Sequence, residues 1–191
     1  MKRIWLLFIS LFFCLIVPGT MTADAQANKQ GSKDVNGSAE SASHDVNFYE
    51  QSTWILGYFK LNRLTNPPYS TWYLKGYDEY KPDNEVIRKL IARGTDGITI
   101  KIVMGTWCPD SRRETPRFMK VLDAWHFPED KVTFIGVDDL KQSPIGDYDK
   151  LGIVRVPTFI IYKNNIEAGR IIENPESSLE QDILNILSRN E

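Results

Sequence analysis

The chain has 191 residues, of which 42% are hydrophobic and 25% are charged, and its formal net charge is −2. This is the composition of an ordinary globular protein, long enough for one domain with a buried core. The charge balance provides no basic surface of the kind that binds a phosphate backbone, so nucleic acid is excluded as an expected partner.

The first 25 residues have the pattern of a secretory signal peptide. Lys2 and Arg3 precede an unbroken apolar run over residues 4–17, and the tripeptide at 23–25 fits the small-x-small rule for cleavage. The apolar run is shorter than the about 20 residues that a membrane-spanning helix needs. We therefore expect an exported protein, periplasmic or otherwise extracytoplasmic, with no stable membrane insertion after cleavage. The alternative is an uncleaved leader that keeps the protein at the membrane.

Composition divides the remainder into three segments. Residues 26–43 are polar without apolar periodicity, which indicates a disordered linker. Residues 44–82 are rich in aromatic side chains and too few for a separate domain. We interpret them as an N-terminal extension packed on the main domain, which would span 83–191. The alternative is that the extension forms a binding lip beside the active site.

The main domain alternates strands and helices in chain order. A helix should begin directly after Asp83, which would serve as its N-cap, and should end at Gly94. The later elements are a strand over 98–104, a helix over 111–125, a strand over 132–137, a strand over 154–162, a hairpin strand over 166–172 and a helix over 178–187. A strand over 54–60 could precede them. Pro116 predicts a kink in the second helix.

Cys108 is the only cysteine left once the leader, with Cys14, is removed. It opens the helix that follows an apolar strand. Its sulfur should therefore lie beside unpaired N–H groups at the positive end of the helix dipole, which favours the thiolate. An odd cysteine in an exported protein indicates a reactive thiol or intermolecular pairing, and this requires a sulfur that solvent can reach. The alternative is an inert, buried cysteine.

The element order, together with two motifs, resembles the thioredoxin superfamily over about residues 83–190. The motifs are Trp107-Cys108-x-x-Ser111-x-x-Glu114-x-Pro116 and Val156-Pro157-Thr158. The first is most similar to exported thiol–disulfide oxidoreductases of the cytochrome-maturation type. The resemblance implies an α/β thioredoxin fold, a mixed central sheet flanked by helices. It also implies a cis peptide bond before Pro157, beside the active-site cysteine.

The chain departs from that family at two positions. Ser111 occupies the position of the second cysteine in Cys-x-x-Cys, so the internal step that releases a reduced product is missing. Ile102 stands where many thioredoxins carry a buried acid, and residues 132–137 supply no lysine to pair with one. These departures argue against the usual dithiol reductase chemistry.

Cys108 and Ser111 are the expected catalytic residues. The Cys108 thiolate would attack a disulfide, and Ser111 could donate a hydrogen bond to it or serve as a plain helix residue. Substrate binding is expected from four residues near the sulfur. Trp107 would shield one side, and the others would present backbone to an extended substrate, as in strand addition: Val156, Pro157 and Thr158.

Three further residues are candidates for supporting roles: Pro109, Asp110 and Glu114. The charge of Asp110 opposes thiolate formation, and Arg112 and Arg113 could offset it or be solvated helix charges. Glu114 could touch the active site or lie on the surface. His44 and His126 have no partner at ligand spacing, so we predict no metal site, and nothing in the sequence calls for a cofactor.

Two functions from different classes remain. The first is a monothiol oxidoreductase or isomerase that acts in cell redox homeostasis. Its Cys108 attacks a protein or small-molecule disulfide, and an external thiol resolves the mixed disulfide. In the second, a non-redox binding or holding protein uses the groove beside Pro157.

Overall fold

A computed structural model describes residues 46–189 of the chain. The predicted leader and linker, together with His44, lie outside the described residues. Among residues 46–189, no helix combines the length and apolar character needed to cross a membrane.

Five strands form one mixed sheet. They are β1 (Gly57–Phe59), β2 (Ile98–Met104), β3 (Val132–Gly136), β4 (Thr158–Lys163) and β5 (Ile166–Ile172), in the spatial order β1-β3-β2-β4-β5. β2 and β3 run parallel, whereas the other neighbouring pairs are antiparallel. The predicted mixed central sheet is confirmed, with the apolar strand over 98–104 at its centre.

Five α-helices lie among residues 46–189, in addition to short 3-10 helices. They are α1 (Asn62–Thr65), α2 (Ser70–Glu79), α3 (Asn84–Arg93), α4 (Pro109–Ala124) and α5 (Leu179–Ser188). α3 begins and ends as predicted, because the Asp83 carboxylate accepts two N–H groups of its first turn and Gly94 ends it with φ 75°. The Ser178 hydroxyl caps α5 in the same way.

The two faces of the sheet are covered differently. On one face, side chains of α2, α4 and α5 share a core with Ile100 and Ile102 of β2, and Phe118 of α4 stacks on Phe159 of β4 at 4.1 Å. The other face carries a smaller cluster around Val103 that includes Cys108. The chain between β3 and β4 covers this smaller cluster with a 3-10 helix, Tyr148–Leu151. Cys108 therefore lies on the face of the sheet that carries the smaller cluster.

Three predicted elements differ from the structure. α4 begins at Pro109 rather than at 111, since proline suits the first helical position and leaves Cys108 as the N-cap. The strand predicted over 154–162 begins only at Thr158, because Pro157 has no N–H for the ladder. The strand predicted over 54–60 is shorter than expected, covering only Gly57–Phe59.

Helices α1 and α2 were not predicted. Each buries one residue, Leu64 in α1 and Tyr73 in α2, so neither shows an apolar stripe. They nevertheless pack into the larger core. Two hydroxyls tie this part of the chain to later helices: Tyr77 Oη donates to Asp123 at 2.6 Å, and Tyr80 Oη donates to Glu180 at 2.8 Å.

The packing of α2 on α4 predicts the effect of one substitution. A Cβ at Gly76 would lie 2.7 Å from Cγ of Pro116, a rigid ring that cannot swing away. Alanine normally stabilises a helix by about 1 kcal/mol relative to glycine. We expect Gly76→Ala to lower the free energy of unfolding by about 1 kcal/mol instead, since overpacking costs about 1–3 kcal/mol. Urea denaturation measures this change.

Gly146→Ala is the matched control. A Cβ there meets no atom within 4 Å, so the free energy of unfolding should change by less than about 0.5 kcal/mol. A Gly76→Ala variant more stable than the parent would contradict the close contact between α2 and α4.

Candidate active site

Cys108 is placed by the junction between β2 and α4. The chain leaves β2 at Met104 and turns, and the N–H of Cys108 donates to the carbonyl of Gly105 at 3.0 Å. The carbonyl of Cys108 accepts the N–H of Arg112 at 3.1 Å, the first bond of α4. Its side chain makes no capping hydrogen bond. The backbone of Cys108 is thus held on both sides, and its sulfur is left for other contacts.

Cys108 is buried, contrary to the expectation of a sulfur that solvent reaches freely and in line with the alternative of a buried cysteine. Cys108 is 8% exposed, and its Sγ donates to the carbonyl oxygen of Val156 at 3.4 Å. It borders a surface groove of about 390 Å³, whose lining comprises Trp107, Cys108, Lys141, Val154, Arg155, Val156 and Glu173. A partner must therefore approach the sulfur through this groove.

In its contact with Val156 the sulfur is the hydrogen-bond donor and the carbonyl oxygen is the acceptor. Cys108 Sγ, which follows β2, therefore contacts the loop that precedes β4.

The peptide bond between Val156 and Pro157 is cis. The carbonyl of Pro157 accepts the N–H of Glu173 at 2.7 Å, and the Thr158 hydroxyl donates to the carbonyl of Arg155 at 2.6 Å. Within residues 46–189, no hydrogen bond is formed by the N–H of Val156. Val156 thus carries one unpaired backbone donor directly beside the sulfur, while Thr158 and Pro157 serve to hold the loop.

Trp107 forms one wall of the groove. Its indole Nε1 donates to the carbonyl of Val137 at 3.0 Å, and its ring lies 6.4 Å from that of Trp54. The neighbouring Thr106 donates to the carbonyl of Thr53 at 3.1 Å and accepts the N–H of Ile55 at 3.3 Å. The segment before β1 therefore supports the turn between β2 and Cys108, a role that the sequence analysis did not assign to Thr106.

Ser111 does not bond to the sulfur in this structure. Its side chain is fully buried and its Oγ accepts the N–H of Gly105 at 3.3 Å. Among the described hydrogen bonds, the one formed by Cys108 Sγ goes to Val156. Of the two interpretations of Ser111, the contacts favour a structural one, in which it ties the turn to α4. Pro109 is exposed at the first position of that helix.

The charged residues of α4 form a connected network. Arg113 pairs with Asp110 at 2.7 Å and with Glu114 at 2.6 Å, and Arg117 pairs with Glu114 at 3.1 Å. Glu114 is buried, so its interpretation as a surface residue is wrong. Its hydrogen bond to Arg113 raises the pKa of that guanidinium. Asp110 is therefore compensated by Arg113.

Arg112 makes a different contact. Its guanidinium lies 4.9 Å from the ring centroid of Phe48, in a cation–π arrangement rather than free in solvent.

Three lining residues of the groove were missed by the sequence analysis: Lys141, Arg155 and Glu173. Arg155 directly precedes the Val-Pro motif, and this adjacency could have revealed it. Lys141 and Glu173 come from loops distant in sequence and carry no local signal. The Glu173 carboxylate pairs with Arg155 at 2.8 Å.

The described residues also bear on metal binding. Within residues 46–189, no group of three or more His, Cys, Asp and Glu side chains is arranged to hold a metal ion.

Comparisons with known proteins provide one distant relative. No family model matches the chain. A thioredoxin from Malassezia sympodialis is 29% identical over 111 residues, which are 58% of this chain and 92% of that protein. This relative supports a place in the thioredoxin superfamily, and the five-stranded mixed sheet with its helices is compatible with a thioredoxin-like fold.

Two solved structures are also similar to the chain. One is a protein of unknown function from Pseudomonas aeruginosa, with 12% identity and a TM-score of 0.42 over 62% of this chain and 79% of that one. The other is an HIV epitope scaffold, with 14% identity and a TM-score of 0.42 over 63% of this chain and 82% of that one. At these TM-scores, neither likeness assigns a fold to the chain.

Tyr148 holds the loop that contributes Lys141 to the groove. Its hydroxyl donates to the carbonyl of Lys141 at 2.7 Å. Burial raises the pKa of Tyr148 to about 12, and the nearby charges of Asp138 and Asp149 act in the same direction. The phenol therefore stays protonated and able to donate well above neutral pH.

We expect Tyr148→Phe to lower the free energy of unfolding by about 1 kcal/mol near neutral pH, where the hydrogen bond is lost. The raised folded pKa means that this stabilisation is fully present below the unfolded value of about 10 and disappears as the pH rises through about 12. Urea denaturation of both proteins between about pH 8 and pH 11 should show the difference shrinking. A difference that grows with pH would contradict the assignment.

Proposed function

We propose that this chain is an exported, monothiol thioredoxin-like protein that carries out thiol–disulfide exchange or isomerisation in an extracytoplasmic compartment. Its proposed parts are a signal peptide over 1–25, a linker over 26–43, an aromatic-rich extension over 44–82 and a thioredoxin-like domain over 83–191. The distant thioredoxin relative suggests a thioredoxin-like redox function. The observation that carries the proposal is the position of Cys108 at the N-cap of α4, on a groove, 3.4 Å from Val156.

The proposed reaction has two exchange steps. The Cys108 thiolate attacks one sulfur of a disulfide, so a new S–S bond forms while the old one breaks and the second sulfur leaves as a thiolate. An external thiol then attacks the mixed disulfide, freeing Cys108 and taking its place in a new disulfide. In isomerisation, a second thiol of the substrate performs this step instead. Both steps conserve the number of disulfide bonds.

Backbone contacts would hold an extended substrate in place. The unpaired N–H of Val156 can donate to a substrate carbonyl, and the Val156 carbonyl becomes available once the sulfur leaves it. Trp107 would cover the sulfur from one side. In this proposal Cys108 is the catalytic residue, and Ser111, Pro109, Asp110 and Glu114 position the helix start.

Turnover with an external thiol tests the proposal. The purified chain, given a disulfide substrate and excess glutathione, should accelerate exchange, and mass spectrometry should detect a mixed disulfide at Cys108. Cys108→Ser should abolish both signals while keeping the fold, because serine replaces the sulfur with a similar small atom. Absence of adduct and of turnover in the folded parent would overturn this function and leave the holding protein that uses the groove.

A second variant tests the geometry of the helix start. Residues three apart in an α-helix have Cα atoms about 5 Å apart, within the range that a disulfide can bridge. Ser111→Cys should therefore form an internal disulfide with Cys108 and reduce insulin in the presence of a dithiol reductant. Its matched control is Ser111→Ala, which has no second sulfur and should gain no such activity. Two thiols that stay unbridged under oxidation would contradict the helix-start geometry.

A further inference from the structure

The groove beside Cys108 has an unbalanced charge. Its lining includes two cationic side chains, Lys141 and Arg155, and one carboxylate, Glu173. Arg155 and Glu173 neutralise each other in an ion pair of 2.8 Å. No ion pair is formed by Lys141 among residues 46–189. The lining therefore retains one positive charge.

The other carboxylates near this loop lie outside the groove lining. Asp110, on the first turn of α4, pairs with Arg113. Asp138 accepts the N–H of Gln142 at 2.7 Å, a hydrogen bond from a neutral group that does not cancel a charge, and Asp139 follows it in the same loop. Neither of these two forms an ion pair with Lys141 among residues 46–189. Within the lining, the ammonium of Lys141 is thus the cation without a carboxylate partner.

The backbone of Lys141 is fixed in place. Its φ is 61°, in the left-handed region, its N–H donates to the carbonyl of Asp138 at 3.0 Å, and its carbonyl accepts the Tyr148 hydroxyl. Because the backbone is already ordered, pairing of the side chain with an anion costs only the freedom of the side chain and not that of the loop. The lining also includes Val154, which is 75% exposed and offers an apolar contact.

We propose that this groove selects disulfides with a negative charge beside the attacked sulfur and that Lys141 makes the selection. The inference rests on the proposed function, because it concerns which disulfide Cys108 attacks. The partner class is an anionic disulfide, either a small molecule with carboxylates or a cysteine flanked by acidic residues in a peptide. The attacking thiolate and such a substrate repel each other, and the ammonium of Lys141 offsets this repulsion.

Three small disulfides test the charge preference: 3,3′-dithiodipropionate, which is anionic, 2-hydroxyethyl disulfide, which is neutral, and cystamine, which is cationic. The measurement is the second-order rate of adduct formation at Cys108 of the full chain, followed by mass spectrometry at low ionic strength. Each rate is divided by that of the neutral probe, and this ratio is compared between a variant and the parent. The intrinsic reactivities of the probes cancel in that comparison. Lys141→Gln should lower the anionic ratio and raise the cationic ratio, each by about fivefold. Both effects should shrink at about 0.5 M salt.

Matched variants separate a local charge from the net charge of the protein. Lys89→Gln removes the same charge from the exposed side of α3, outside the groove, and should leave both ratios unchanged. Lys141→Arg keeps the charge and should preserve the preference. Equal ratios in Lys141→Gln and the parent would exclude selection of small anionic disulfides while leaving the exchange reaction intact. A parent that reacts with none of the three probes would overturn the proposed function itself.

A second comparison, with peptides, shows whether the preferred anionic disulfide is a peptide or a small molecule. Two blocked peptide disulfides, which differ only in Asp or Lys beside the cysteine, are compared in the same assay. A preference for the Asp peptide that Lys141→Gln removes supports a peptide substrate, and a preference confined to the small probes supports a small-molecule one. If neither the small disulfides nor the peptides show a charge preference that depends on Lys141, the inference is contradicted.

Discussion

The register between β2 and β4 is the constraint on which the site depends. These antiparallel neighbours pair Val103 with Thr158, which brings the turn after β2 alongside the loop before β4. Cys108 and Val156 lie 48 positions apart in sequence and meet at 3.4 Å because of this pairing. A slip of one residue would reverse the faces of the strand and carry the Val-Pro loop away from the sulfur.

The segment before β1 supports the same turn from the other side. Thr106 exchanges two hydrogen bonds with residues 53–55, and the rings of Trp54 and Trp107 lie against each other. A Cβ at Gly136 would come within 2.0 Å of the carbonyl oxygen of Ile55, so only glycine permits this close backbone approach. The aromatic segment from residue 46 thus belongs to the same packed unit as the turn before Cys108.

The sulfur of Cys108 donates to the Val156 carbonyl, and the charges on the neighbouring turns of α4 are paired with one another. Arg113 compensates Asp110 and joins it to the buried Glu114, so the acids of the helix do not add an open negative charge. The proposed anionic partner would then meet Lys141, the cation of the groove lining that forms no ion pair among residues 46–189.

Local sequence signals determined much of the architecture: the cap and end of α3, the central strand β2, the hairpin of β4 and β5, and a cysteine at a strand–helix junction. Each of these depends on neighbours within a few positions, so a pattern of residues is enough to predict it. Only the tertiary structure decided that Cys108 is covered by Val156, that Ser111 bonds Gly105, and that α1 and α2 exist. It also placed Lys141 in the groove and Glu114 in the interior. These outcomes depend on strand register and on contacts between distant segments, which bury or pair a side chain according to what the fold brings beside it.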